Sequence, residues 1–379
     1  MTLPKTYMQM FSTLSTEGVL KMELIEQQMP TPKPNQVIVK VEASPINPSD
    51  LGVMFGMASM GDATSTGSGE SIVLSAPVSA QGMRVMKARI GAPLPVGNEG
   101  AGTVVAAGDS DVAQSLMGKV VAVMGGGMYG QYRCVDAATC MPLLPGDTAK
   151  DGASSFVNPL TALSMIETMR MEGHTALVHT AAASNLGQML NRICQADKVE
   201  LVNIVRKKDQ AQLLKDMGAK HIVDSSSENF QAELTDAIHA TGATLAFDAT
   251  GGGTLASTIL SAMEAAAART PGAYSIYGSI KHKQVYLYGG LDTSATVLNR
   301  GYGMAWGVGG WLLPNFLARA GNEVASRLRT RVAKELKTTF ASHYTDEISL
   351  SDALQGDTVA RYLEKKTGQK FLVCPQNKI

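Results

Sequence analysis

Two patterns of apolar spacing divide the chain. Up to about residue 155 the apolar residues come in short runs of strand character. Val37–Ser44 (VIVKVEAS) and Gly102–Gly108 (GTVVAAG) alternate with a period of two, and Lys119–Gly125 (KVVAVMG) is a more continuous run. Gly and Pro clusters separate them. Between the first two lies GDATSTGSG (Gly61–Gly69), too rich in Gly and Ser to fold alone. With the residues up to about Arg89 it reads as an insertion, a partly ordered lid.

After Asp151 the period changes. Asp151 is expected to cap a helix that either takes in Ala153–Ser155 or begins near Pro159 and runs to Met171. Strand and helix then alternate: ALVHT (Ala176–Thr180), Leu186–Gln195, VELVNIV (Val199–Val205), Asp209–Met217, HIVD (His221–Asp224), Phe230–Thr241 and TLAFDAT (Thr244–Thr250). That alternation predicts βαβ units around a parallel sheet. Ala256–Ala268 reads as a helix, followed by AYSIYG (Ala273–Gly278) and QVYLYGG (Gln284–Gly290). From Lys337 the pattern is mixed again and closes on a strand in KFLVCP (Lys370–Pro375). The fold class is α/β: a Rossmann-like doubly wound parallel sheet (156–336) inserted between two parts of a β-rich domain (1–155 and 337–379).

Composition narrows the function classes. A chain of 379 residues that is 45% hydrophobic can bury the cores of two or three domains. Lys+Arg and Asp+Glu both number 33, so nothing marks a nucleic-acid footprint. Cys134, Cys140, Cys194 and Cys374 show no C-x-x-C spacing, which argues against a zinc lobe or disulfide framework and for a reducing, cytoplasmic setting. The first residues lack the cationic and apolar regions of a signal peptide. No apolar run reaches membrane-spanning length. The nearest, Met304–Ala318, is broken by Gly307, Gly309, Gly310, Pro314 and Asn315, and is expected to be a buried helix or an oligomer surface.

The chemistry concentrates in VHTAAASNLGQML (Val178–Leu190). A dinucleotide turn reads G-x-G-x-x-G, because the backbone must approach a pyrophosphate and the helix must present its N-terminal N–H groups. Here Ala182 and Ser184 replace the first two glycines and Gly187 keeps the third. Ser184 and Asn185 can add polar contacts. An ordinary strand–helix turn has the same composition, so this stretch alone leaves both readings open. Arg206 adds weight, lying 19 residues after Gly187 (206 − 187). An NAD site wants an acidic residue about there, whereas a guanidinium, with Lys207 beside it, suits the 2′-phosphate of NADPH. The alternative is a solvated charge run. None of the six histidines falls in a catalytic pattern. His179 is expected at the end of the first Rossmann strand, packed or bonded to backbone.

ASPINPSDL (Ala43–Leu51), PLPVGNEGAGTVVAAG (Pro93–Gly108), MYGQYRCVDAATCMPLLP (Met128–Pro145) and NPLTAL (Asn158–Leu163) precede that turn; NIVRKKDQ, LKDMGAKHIVD, FDATGG and YLYGGL follow it. In this order they resemble the medium-chain dehydrogenase/reductase superfamily, in its zinc-free quinone oxidoreductase and enoyl reductase branch. The resemblance covers most of the chain. The stretches near 61–90 and 265–285 fit less well. It implies a GroES-like catalytic domain, a Rossmann domain and NADPH between them. Zinc members carry Cys where this chain has Asn47, His where it has Asn98, and a further ligand near Val157. Glu99 alone cannot supply a four-ligand site, so no metal is expected.

Carried over position by position, the resemblance puts Asn47 near the nicotinamide ribose and Asn158 and Thr161 in the nicotinamide pocket. Leu186 and Gly187 border the pyrophosphate, and Arg206 with Lys207 holds the 2′-phosphate. Thr250, Gly251 and Gly252 pass near the adenosine half, and Tyr288, Gly289 and Gly290 flank the nicotinamide. Simpler roles stay open: a turn former before Pro48 for Asn47, core packing for Tyr288, a strand-end loop for 250–253. Enoyl reductases place a proton-donating tyrosine several residues after INPSD. The matching place here, about Ala58 in VMFGMASMG, has neither Tyr nor His, and Tyr129 is the alternative donor. The expected activity is zinc-free, NADPH-dependent hydride transfer to a quinone or α,β-unsaturated carbonyl. The alternative is a non-catalytic NADPH-binding protein on the same fold. A homodimer through Gln284–Gly290 or Trp306–Phe316 is also implied.

Overall fold

The computed structural model describes residues 3–269 and 275–378. The chain forms two units, Met1–Val157 with Arg329–Ile379, and Asn158–Leu328. The sequence boundaries of 155/156 and 336/337 differ mainly at the second crossing.

The first unit is β-rich. One sheet runs, in spatial order, Thr64–Thr66, Val73–Pro77, Val19–Gln28, Thr6–Leu14 and Leu94–Pro95. The other runs Met141–Pro142, Val120–Met124, Glu99–Ala107, Gln36–Pro45, Phe371–Val373 and Asp346–Ile348, with Tyr132–Asp136 also paired to Gln36–Pro45. The period of two in VIVKVEAS sends Val37, Val39 and Val41 into one core cluster.

The 61–90 insertion is not the partly ordered lid its composition suggested. Val73–Pro77 pairs antiparallel with Val19–Glu23, and Thr64–Thr66 pairs with it in turn. Ile72, Leu74 and Val78 are buried in the unit's main core. The polar loop lends its backbone to a hairpin, and the apolar residues that follow anchor it. A second expectation shifts as well. Thr148, not Asp151, caps the short helix Ala149–Gly152, and Asp151 closes the capping box from its third position. The longer helix, Val157–Met171, is separate.

The second unit contains a six-stranded, wholly parallel sheet: His221–Asp224, Glu200–Val205, Ala176–His179, Leu245–Asp248, Lys283–Leu287 and Trp306–Gly310. In chain order that is third, second, first, fourth, fifth, sixth, the Rossmann arrangement. Both faces of the central strands are covered, which is why ALVH is buried at every position.

Trp306–Gly310 is the outer strand, half-buried, and a helix begins only at Leu313. This corrects the buried helix expected over Met304–Ala318: the glycines that break the apolar run disfavour a helix, and pairing with Lys283–Leu287 makes Trp306–Gly310 a strand. Gln284–Gly290 lies inside the sheet and offers no free edge. In AYSIYG, Ala273 and Tyr274 lie outside the described residues, and Ser275–Gly278 closes a turn. Among the described residues no helix is long and apolar enough to cross a membrane.

Candidate functional site

In the second unit, the turn after the first strand is built by packing. Ala182 has no exposed surface, and its N–H donates to the Ile204 carbonyl at 3.2 Å. Ser184 caps the helix Asn185–Asp197, its hydroxyl accepting from the Gly187 N–H at 3.1 Å. A Cβ on Gly187 would lie 2.2 Å from the Ala182 carbonyl oxygen, so this position must be glycine for the helix to approach the strand. The residue in the left-handed region is Ala181 (φ 51), not either position where the fingerprint has glycine. The sequence reading therefore needs a correction. Ala182 is an interior packing residue and Leu186 is nearly buried, while Ala181, Ser184 and Asn185 keep partial exposure.

Arg206 and Lys207 follow the second strand and are exposed, one strand over from this turn. The Arg206 N–H donates to Gln210 Oε1 at 3.1 Å, fixing the backbone while the guanidinium faces solvent. Asn158 and Thr161 lie in the first turns of Val157–Met171 and are largely buried.

The strand order reverses between the first and fourth strands, the switch point where open α/β sheets hold ligands. Asp248 knits this place together. It accepts from Thr180 Oγ1 at 2.8 Å, from the Thr250 N–H at 2.8 Å and from the Gly251 N–H at 3.2 Å. The sequence reading did not single out Asp248; its signal was a lone acid within the apolar strand of FDATGG. Gly251 has φ 81, and a Cβ there would lie 2.7 Å from the Gly289 carbonyl oxygen. Thr250, Gly251 and Gly252 thus cluster with Gly289 and Gly290, on the opposite side of the first strand from Arg206.

Tyr288 adopts the packing role. Its hydroxyl lies 2.7 Å from His179 Nε2, the rings stack at 5.7 Å, and Phe247 meets Tyr288 edge-on. Burial holds His179 neutral, its pKa pushed down to about 3. Beside this pair opens a cavity of about 380 Å³ at the ends of the fifth and sixth strands, lined by Tyr288, Gly289, Trp311, Leu312 and Asn315 among others.

In the first unit, Asn47 is buried at the N-cap of the helix Pro48–Phe55. Its backbone N–H donates to Asp50 Oδ2 at 2.8 Å and its Nδ2 donates to Glu99 Oε1 at 2.8 Å. Glu99 Oε2 accepts from the backbone N–H groups of Phe156 (2.8 Å) and Val157 (2.9 Å). Asp50 Oδ1 accepts from the Asn98 N–H at 2.7 Å. Burial pushes Asp50 up to about 7 and raises Glu99, opposed by the N–H donors and by Lys370. Burial brings the Lys370 ammonium down to about 8; its Nζ has no hydrogen-bond partner and lies 5.6 Å from the Tyr344 ring centre.

Tyr129 does not qualify as the alternative proton donor. It has no exposed surface, its hydroxyl donates to the Pro45 carbonyl at 3.0 Å, and burial raises its pKa further. Ala58 packs against the first unit's main core, and its backbone pairs with Phe55 and Val78. Asn98 donates its side-chain amide to Ser49 at 3.2 Å. Among the described residues, no three His, Cys, Asp or Glu side chains gather as a metal site requires.

Two family models match the chain: an alcohol dehydrogenase GroES-like domain over residues 33–145 and a zinc-binding dehydrogenase domain over 186–300. A mitochondrial enoyl-[acyl-carrier-protein] reductase of Xenopus tropicalis is 30% identical over 51% of this chain and 49% of its own length. A quinone oxidoreductase of Pseudomonas aeruginosa is 30% identical over 38% and 46%. The chain thus spans about half or less of the length of these curated relatives. Among solved structures, a candidate NADPH:quinone reductase from Mesorhizobium loti superposes with a TM-score of 0.74 at 27% identity, over 99% of this chain and 100% of that one.

Proposed function

We propose that this chain, which belongs to the medium-chain dehydrogenase/reductase superfamily in its quinone oxidoreductase and enoyl reductase branch, reduces a quinone or an α,β-unsaturated carbonyl with NADPH and without zinc. The observation that carries this reading is the turn at Ala181–Gly187, closed against the Ala182 carbonyl, with an exposed Arg206 one strand over. These residues fit a dinucleotide: a turn whose Gly187 lets the helix close on the strand, a helix N-terminus, and a guanidinium for a 2′-phosphate.

Asn185 and Gly187 would hold the pyrophosphate at the helix end that Ser184 caps, and Arg206 with Lys207 the 2′-phosphate. Asn158, Thr161, Gly289 and Gly290 would border the nicotinamide, with Tyr288 as the packed support beneath them. When bound, NADPH supplies the hydride. The protein's own residues orient the acceptor, keep water from the reacting carbon and hydrogen-bond the oxygen on which charge develops. A quinone needs no protein acid, because solvent can protonate its reduced oxygens. That suits a chain with no Tyr or His near Ala58 and with Tyr129 sealed in the core. Asn47 and Asn98, at positions where zinc members carry ligands, are the reason for reading the site as metal-free. The relatives' names, a quinone oxidoreductase and an enoyl reductase, support the same acceptor classes.

Mixing the pure protein with NADPH and a panel of quinones and enones, and following loss of reduced-nicotinamide absorbance, tests the reading. Turnover with any acceptor supports it. NADPH binding with no turnover would leave a non-catalytic dinucleotide-binding protein on this fold. We further place the protein in a reducing compartment, as a homodimer joined along Trp306–Gly310.

A further inference from the structure

In the second unit, the connection that enters the strand Lys283–Leu287 is tied down at its base and apolar at its tip. Lys283 is fully buried, and its ammonium uses all three protons. It donates to Glu264 Oε2 at 2.7 Å, to Ser279 Oγ at 2.8 Å and to the Lys281 carbonyl at 2.9 Å. Glu264, on the helix Leu255–Ala268, also accepts from the Ser279 N–H at 2.7 Å and from its hydroxyl at 2.6 Å. A lysine is almost never fully buried unless paired, and this one is paired within the loop it closes. Gly278 lies so close to Gly303 that a Cβ on it would sit 2.6 Å from the Gly303 Cα. Residues 275–281 and 303–304 therefore form one tip on a fixed base.

Four large apolar side chains stand out from this tip. Ile276, Tyr277, Ile280 and Met304 are 75%, 67%, 94% and 77% exposed. Single exposed apolar residues are ordinary, whereas a group of them in one place marks a surface that meets a partner. The charge around the tip says which partner. The stretches 275–283 and 297–312 carry Lys281, His282 and Arg300 at exposed positions and no Asp or Glu. Among the described residues these three make no ion pair, and Glu264, the acid at the base, is neutralised by Lys283. A protein partner would need a separate pocket for each protruding side chain, but the boundary between lipid headgroups and acyl chains accepts any shape. Tyr277, with an apolar ring and a polar hydroxyl, suits that depth. We propose that this tip docks on an anionic phospholipid bilayer, its apolar side chains entering the acyl boundary and Lys281, His282 and Arg300 meeting the headgroups. The docking concerns the second unit alone and does not depend on the NADPH reading. Only its consequence, delivery of the protein to quinones dissolved in lipid, rests on that reading.

Flotation of the full chain with vesicles tests the docking, using phosphatidylcholine alone and phosphatidylcholine mixed with phosphatidylserine in equal parts. We expect the wild type to float with the mixed vesicles, and less so at high salt, because the field of an anionic surface decays within about 8 Å at physiological ionic strength. Ile280→Asp should weaken this binding about tenfold or more, and Lys281→Ala about fivefold, the share of one cation near such a surface. Both side chains are exposed, so both variants should keep the wild-type melting temperature. Val85→Asp changes a 66% exposed apolar residue of the first unit and should float as the wild type does. A wild type that does not float with the mixed vesicles, or an Ile280→Asp variant that floats as well as the wild type, overturns the proposal. Equal binding to phosphatidylcholine alone overturns the anionic-lipid assignment, and an equal loss in Val85→Asp overturns the assignment to this tip. If Ile280→Asp changes the oligomeric state by light scattering and leaves flotation untouched, the tip belongs to a second copy of the chain and the proposal falls. A protein that floats as expected but reduces no acceptor supports the docking and overturns only the reductase reading.

Discussion

At the scale of single residues, Arg206 and His179 make opposite uses of charge. Arg206 is exposed at a strand end and can offer a bidentate fork to a dianion. Arg206→Ala should weaken NADPH about 10–100-fold, the value of hydrogen bonds to a charged group, and leave NADH nearly unchanged. Equal losses for both cofactors, measured by fluorescence titration, would remove Arg206 from this role. His179 is sealed and held neutral, burial pushing its pKa down to about 3 from the 6.5 of a free imidazole side chain. A pKa depressed by folding means that the unfolded chain binds the proton more readily. Its contribution is complete above about pH 6.5 and is lost as pH falls towards 3, at up to about 1.4 kcal/mol per pH unit. Replacing it with Phe should flatten that part of the curve of unfolding free energy against pH. A variant with the wild-type slope from pH 6.5 to 4 would show that other groups carry it. Asp50 works against His179 over part of this range, since its raised pKa makes stability fall as pH rises from about 4 to 7.

At the scale of elements, the first turn of the nucleotide sheet separates two demands that the sequence pattern had merged. Gly187 serves packing: Gly187→Ala drives a methyl into the Ala182 carbonyl and should cost about 1–3 kcal/mol of stability together with NADPH affinity. Ser184 serves the helix end: Ser184→Ala should cost about 1 kcal/mol while keeping NADPH binding, because the Gly187 N–H it releases can face the ligand instead. Thermal melts with and without NADPH separate the two. If Ser184→Ala abolished binding, its hydroxyl would have to be a direct ligand. The alternating strands and helices were legible because their period is local; Phe230–Thr241 has the same bounds in sequence and structure. What stayed hidden depends on distant partners. The Gly/Ser composition of 61–69 says nothing of Val19–Gln28, which receives the hairpin. Nor could spacing show that Tyr288 turns to His179, 109 residues away, or that Tyr129 is closed off by Pro45. The attachment of Asn47 to Glu99, 52 residues away, was hidden for the same reason.

At the scale of the molecule, the sheet of the second unit ends on an open edge, and the alternation of a parallel ladder shows which groups are unsatisfied. The Ala305 carbonyl accepts from the Lys283 N–H, and the Trp311 N–H donates to the Leu287 carbonyl. Odd-numbered residues of Trp306–Gly310 therefore turn their N–H and C=O groups inward to the fifth strand. Trp306, Val308 and Gly310 turn theirs outward. A free row of this kind is a template for pairing with another strand, and its half-buried residues lack the charges that usually protect an edge. A second copy of the same strand is the simplest partner, since a two-fold interface satisfies both edges at once. Val308→Pro tests this without disturbing the fold. Proline removes an outward-facing N–H that no hydrogen bond among the described residues uses, and proline is tolerated on edge strands in that orientation. Light scattering after size exclusion should find the wild type as a dimer and Val308→Pro as a monomer with an unchanged circular dichroism spectrum. A dimeric Val308→Pro would move the interface elsewhere, and a monomeric wild type would remove it.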